Sequence, residues 1–124
     1  MTTAQHSILI VDDEESLRLS LTDQLRDEGY NVSGAANSQE ALARLKQSPV
    51  ELVILDLKFP EGMTGHEMLK FIKTTYPGIK VLVLTAYANL KEGKSAKQAG
   101  ADDFLSKPYN VEDLIQLVGN LLSY

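Results

Sequence analysis

Apolar residues run without a break at Ile8-Leu9-Ile10-Val11, Leu52-Val53-Ile54-Leu55 and Val81-Leu82-Val83-Leu84. Such runs cannot alternate between core and water, so each reads as a strand covered on both faces. Two weaker stretches, Asn31 to Ala35 and Asp102 to Leu105, are short and partly polar. Between the strands the period changes to three and four. Leu17, Leu21 and Leu25 make a stripe behind the acidic turn Asp12 to Ser16, and the helix they predict ends near Glu28, before Gly29. Asn37 to Glu40 has capping-box spacing ahead of Ala41, Leu42 and Leu45, and Thr64 to Glu67 repeats it ahead of Met68, Leu69 and Ile72. A fourth helix is expected from Asn89 to Ala99, with Gly93 inside it and few large apolar residues. A fifth follows Asn110, with Leu114, Ile115, Val118, Leu121 and Leu122 on one face.

Strands alternating with helices at this spacing imply a parallel sheet of right-handed βαβ units. The uninterrupted runs belong in the middle of that sheet and the mixed ones at its edges. Order 2-1-3-4-5 meets the constraint, so the expected fold is α/β, doubly wound and flavodoxin-like, with five strands and five helices. The switch point then falls between strands 1 and 3.

Composition narrows the picture without redirecting it. The 124 residues fit a single domain over residues 1–124, with 1–6 read as a tail. No cysteine is present, which removes disulfides and thiol chemistry and agrees with a cytoplasmic setting. A net charge of −5 argues against direct nucleic-acid binding, and no apolar run is long enough to span a membrane.

Polar groups recur where the strands end. Asp12 and Asp13 follow the first strand, Asp56 the third, Thr85 the fourth and Lys107 the fifth. Each has a bland reading by itself: a helix cap, the place where a strand happens to stop, a structural threonine, a solvated lysine. Together, in a sheet of this order, they converge at the switch point. Three adjacent carboxylates repel and raise one another's pKa values, and a hard cation relieves them; an all-oxygen set suits Mg²⁺, with Mn²⁺ as the substitute. A hydroxyl and an ammonium beside them are the donors that a phosphoryl group requires.

The segments carrying these groups are Ile8-Leu9-Ile10-Val11-Asp12-Asp13-Glu14, Leu55-Asp56-Leu57 with Pro60, Leu84-Thr85-Ala86, and Gly100-Ala101-Asp102-Asp103-Phe104-Leu105-Ser106-Lys107-Pro108. In order and spacing they resemble the motifs of bacterial two-component response-regulator receiver domains, over essentially the whole chain. The resemblance implies that Asp56 accepts a phosphoryl group from a sensor histidine kinase or a histidine phosphotransfer protein. It implies that Asp13 and Asp56 ligate Mg²⁺ directly, Asp12 through water and Lys58 through its backbone carbonyl. Lys107 would pair with the phosphoryl group behind a cis Lys107–Pro108 bond, and Thr85 would move toward it. Phe104 would follow as the aromatic switch, altering the face built by the fourth helix, fifth strand and fifth helix. An effector domain or downstream protein, and a phosphorylation-linked dimer, are the further partners implied.

Some positions depart from the pattern. One residue more than usual lies between Asp56 and Gly65, Phe59 stands where Met is common, and Phe104 lacks the hydroxyl of the frequent Tyr. Lys58 and Tyr87 hold positions expected to tune dephosphorylation. His6 and His66 are read as idle, and Lys91, Lys94 and Lys97 as a solvated face or an output surface for an acidic partner. Two alternatives remain. A haloacid-dehalogenase-like phosphatase would need an Asp at position 58, where Lys58 stands. A degenerate receiver that only binds a partner has no reason to keep all five site residues.

Overall fold

The computed structural model describes residues 6–57, 64–85 and 90–123, side chains at 90–93 excepted, and its strands pair into one parallel sheet. The strands are β1 (Ser7–Val11), β2 (Asn31–Ala35), β3 (Leu52–Asp56), β4 (Lys80–Thr85) and β5 (Asp103–Ser106). The helices are α1 (Glu15–Asp27), α2 (Ser38–Gln47), α3 (Gly65–Thr75), α4 (Leu90–Gln98) and α5 (Val111–Leu122). Strand order is β2-β1-β3-β4-β5, so the three uninterrupted runs are central and the two mixed ones form the edges. The sequence reading of an α/β doubly wound fold holds.

The sheet separates two cores. On one side Ile8, Ile10, Leu52, Ile54, Leu82 and Leu84 pack against α1 and α5; on the other Leu9, Val11, Val53, Leu55, Val81 and Val83 pack against α2, α3 and α4. Because side chains alternate along a strand, this parity also allocates the polar groups at the strand ends. Asp56 continues the face of Leu52 and Ile54, Asp12 that of Ile8 and Ile10, and Lys107 that of Leu105. Thr85 instead continues the face of Val81 and Val83, and Phe104 packs on that same side.

Four elements differ at a boundary from the sequence reading. β3 includes Asp56 and β4 includes Thr85, because the ladder continues past the last aliphatic residue; the Leu57 and Lys107 N–H groups bond the carbonyls of Leu84 and Thr85. β5 is displaced by one residue, since Asp102 is engaged in the turn before it. α1 starts at Glu15 rather than at Asp12, and its N-cap Glu14 makes no side-chain cap; the Asp12 carboxylate takes the Glu14 N–H instead. Elsewhere the caps match, except that the Glu40 carboxylate takes the Ala36 N–H rather than closing a box on Asn37. Thr64 and Glu67 form a reciprocal capping box, Asn37 and Asn110 cap α2 and α5, and Gly29 closes α1 at φ 96°. The Lys107–Pro108 peptide bond is cis. His6, placed in the tail by sequence, is held: its Nδ1 lies 2.7 Å from Glu51 Oε2, and its carbonyl accepts the Asn31 N–H.

Two contacts set the ends of the sheet. At the far end from the carboxylates, Asp102 Oδ2 accepts the Val81 N–H at 2.7 Å and the Lys73 ammonium at 3.1 Å, while Lys73 also bonds the Ile79 carbonyl. One carboxylate thus ties α3, β4 and β5 together. At the near end, α3 begins directly over the backbone that follows Asp56. A Cβ on Gly65 would collide with the Cα and carbonyl of Leu57. That obstacle is backbone, which cannot step aside as a side-chain tip can. Gly65→Ala is therefore expected to cost about 1–3 kcal/mol of stability in urea unfolding, the range for overpacked sites. A cost within about 0.5 kcal/mol, the scatter of neutral surface changes, would show that Leu57 and Gly65 are not in rigid contact.

Candidate functional site

Every strand end that contributes here does so because an apolar strand stops where a polar side chain begins. β1 delivers Asp12 and Asp13, and β3 delivers Asp56. One carboxylate oxygen from each of these three residues lies within 4.8 Å of the other two, with Asp12 and Asp56 buried and Asp13 exposed. Lys107, carried in by β5, donates to Asp56 Oδ2 at 2.7 Å and stands 4.0 Å from Asp12 Oδ2. Among the described residues the site is therefore three acids and one ammonium at the carboxyl edge of the sheet, with Asp12, Asp56 and Lys107 on the face shared with α1 and α5.

The acids are not equivalent. Burial pushes the Asp12 carboxyl up to about 6. The bond from the Glu14 N–H opposes this, Asp56 and Asp13 add to it, and Lys107 opposes it. Burial alone would lower the Lys107 ammonium, but the hydrogen bond and charge of Asp56, with Asp12 behind, hold it above its ordinary value. Asp12 Oδ2 is buried and makes no hydrogen bond. A buried carboxylate oxygen in that condition, beside two other carboxylates, matches the donor set a hard divalent cation requires.

Thr85 sits in the neighbouring strand at 1% exposure, and its hydroxyl also has no hydrogen-bond partner. Phe104 is half-buried against the α2–α4 side, and its position in β5 pairs with Val83, two residues before Thr85. Lys58, Phe59 and Tyr87 lie outside the described residues, as do Glu61, Gly62 and Met63 of the stretch expected to hold the extra residue. His66 is exposed in the first turn of α3, while Lys94 and Lys97 are exposed on α4. Lys97 lies 4.0 Å from Asp103.

Two residues near the site went unnoticed in the sequence. The Tyr109 hydroxyl is buried without a partner, and burial, with Asp12, Asp56 and Glu14 nearby, pushes it up to about 12. Arg18 donates from Nη1 to the Asp12 carbonyl at 2.8 Å. Nothing in the α1 stripe singles Arg18 out. The available signal was Gly34, since a glycine inside a strand marks a close approach, and Arg18 is what approaches.

Comparison with known proteins agrees with this geometry. A family model described as the response regulator receiver domain matches residues 8–119. A putative response regulator NtrX-like protein of Rickettsia felis is 38% identical over 116 residues, covering 93% of this chain and 24% of that protein. The chain thus spans about a quarter of that relative's length. Sporulation initiation phosphotransferase F of Bacillus subtilis is 36% identical over 115 residues, covering 93% of this chain and 92% of its own. Among solved structures, the receiver domain of NtrX from Brucella abortus superposes with a TM-score of 0.89 at 32% identity, covering 93% of this chain and 97% of that one.

The raised Asp12 carboxyl has a consequence for stability. The folded protein takes up a proton there more readily than the unfolded chain, whose carboxyl keeps a value of 3.8. Ionised Asp12 is thus a cost to folding that is fully present above about pH 6 and relieved as the pH falls toward 3.8. Without divalent cations, Asp12→Asn is expected to stabilise the fold by about 1–3 kcal/mol at pH 8, with the gain fading toward pH 4. Urea unfolding of both proteins at the two pH values measures this. Equal gains at both would mean that Asp12 is not a buried, crowded carboxylate.

Proposed function

The chain belongs to the response regulator receiver family, and on that footing we propose that it is a phosphorylation-dependent signalling switch whose acceptor is Asp56. The observation that carries the proposal is the position of the Asp56 carboxylate, buried beside Asp12 and Asp13 with the Lys107 ammonium 2.7 Å away. An oxygen of Asp56 attacks the phosphorus of a phosphohistidine on a sensor kinase or histidine phosphotransfer protein. The P–O bond forms as the P–N bond breaks, and the electron pair leaves with the imidazole nitrogen. Positioning and charge neutralisation supply most of the catalysis in such transfers.

Asp13 and Asp56 would hold Mg²⁺, or Mn²⁺ in its place, with Asp12 acting through water. The Lys58 carbonyl, expected as a further ligand, falls outside the described residues. When bound, the cation screens the carboxylates from the incoming phosphoryl oxygens. Lys107 then exchanges its bond to Asp56 for one to the phosphoryl group. The Thr85 hydroxyl has no bond to give up and donates to the same group. Thr85 and Phe104 share the sheet face opposite Asp12, Asp56 and Lys107, so movement of Thr85 is passed to the α2–α4 side, and through Phe104 to the surface made by α4, β5 and α5.

This is a regulatory domain rather than a turnover enzyme. The phosphatase reading lacks its acid/base Asp, since position 58 is Lys. We assign it a cytoplasmic location, a sensor histidine kinase or histidine phosphotransfer protein as partner, and an effector domain or downstream protein as output. Among the described residues no helix is long and apolar enough to cross a membrane.

Incubation with acetyl phosphate and Mg²⁺, followed by intact mass, is expected to add one phosphoryl group. Chelation of the cation and Asp56→Asn should each abolish the adduct. An adduct that persists in Asp56→Asn would overturn the assignment. Thr85→Ala should still accept the phosphoryl group, while the amide shifts that phosphorylation induces around Phe104 shrink. Undiminished shifts there would exclude Thr85 from the relay.

A further inference from the structure

Asp12 has three of its polar atoms fixed by this chain. Its N–H bonds the Ala35 carbonyl at 3.0 Å, its Oδ1 takes the Glu14 N–H at 2.9 Å, and its carbonyl takes Arg18 Nη1 at 2.8 Å. Only Oδ2, which faces Lys107, is left without a hydrogen bond. Two of the three restraints come from backbone. The third is a side chain from α1, and it acts on the peptide whose other half is the N–H of Asp13. Fixing that peptide fixes the direction from which both carboxylates leave the backbone.

Arg18 can reach this carbonyl because β2 offers no side chain in its path. A Cβ on Gly34 would stand 3.1 Å from Arg18 Cδ and 3.3 Å from Cγ, tighter than an ordinary contact. Gly34 lies within β2, where a larger residue would suit the pleated surface better. Its φ is not in the left-handed region, so the backbone does not call for glycine. Room for the arginine stem explains it. Among the described residues the guanidinium bonds a carbonyl and pairs with no carboxylate, so the negative charge of the site stays available to a cation.

We propose that Arg18, seated over Gly34, is a positioning residue for the divalent-cation site. It holds the Asp12–Asp13 peptide so that the carboxylates converge on Asp56 before any cation arrives. The inference rests on the receiver reading above, because it concerns the same cation. Supporting groups of this kind commonly change metal affinity by tenfold or more when lost.

The test is a Mg²⁺ titration of the whole chain, followed by amide spectra and calorimetry, with phosphorylation by acetyl phosphate measured in parallel. Arg18→Met, which keeps the stem and removes the donor, is expected to raise the half-saturating Mg²⁺ concentration about tenfold. The phosphorylation rate at saturating Mg²⁺ should fall far less. Arg18→Lys should recover part of the affinity. Gly34→Val leaves Arg18 in the sequence but fills its seat, and should reproduce the loss; it decides the matter if Arg18→Met does not fold. If Mg²⁺ binds the unaltered protein, and the folded variants keep its affinity or lose only thermal stability, Arg18 is merely structural and the inference fails while the receiver reading stands. If the unaltered protein binds no Mg²⁺ and accepts no phosphoryl group, both fail.

Discussion

Like charge at the carboxyl edge of the sheet is the constraint on which the rest of this structure depends. Three carboxylates share a volume in which two of them are buried, and Lys107 is the only ammonium in contact with them among the described residues. Removing water strengthens every interaction there, repulsive as well as attractive, so the resting protein holds the arrangement at a cost to its own stability. The two cores and the fully buried strand β3 supply the rigidity that keeps the acids together. A looser scaffold would let them separate.

Much of this was legible before any coordinates. Uninterrupted aliphatic runs identified the central strands, and the same argument sent Asn31 to Ala35 and the short last strand to the edges. Thr64, Asn37, Asn110 and Gly29 announced helix ends through chemistry that needs no tertiary partner. The convergence of Asp12, Asp13, Asp56 and Lys107 followed once strand order was fixed. What stayed hidden depends on side chains meeting across elements. Arg18 looks like any polar residue on α1 until Gly34 is brought beneath it, and His6 is tied only because Glu51 lies beside it in space. The start of α1 was misplaced because Asp12 suits two roles in sequence: capping a helix and bracing the turn before one.

The two faces of the sheet divide the labour. Asp12, Asp56 and Lys107 are on the α1–α5 side, whereas Thr85 and Phe104 are on the α2–α4 side. At the opposite end, Asp102 joins α3, β4 and β5 through one carboxylate. The molecule therefore has a crowded, charged end and a tied, quiet end, with β4 and β5 running between them.

The alternation of the strands also governs how this chain can change in length. Strands are counted in twos: one residue added or removed within β3 would exchange its faces and turn Asp56 toward α3, away from Lys107. Past β3 the next fixed point among the described residues is Gly65, which meets the Leu57 backbone. The extra residue expected from the family resemblance falls between those two points in the sequence. Among the described residues the fold fixes position up to Leu57 and again from Gly65, so the faces of β3, and with them Asp56, are set by the strand itself.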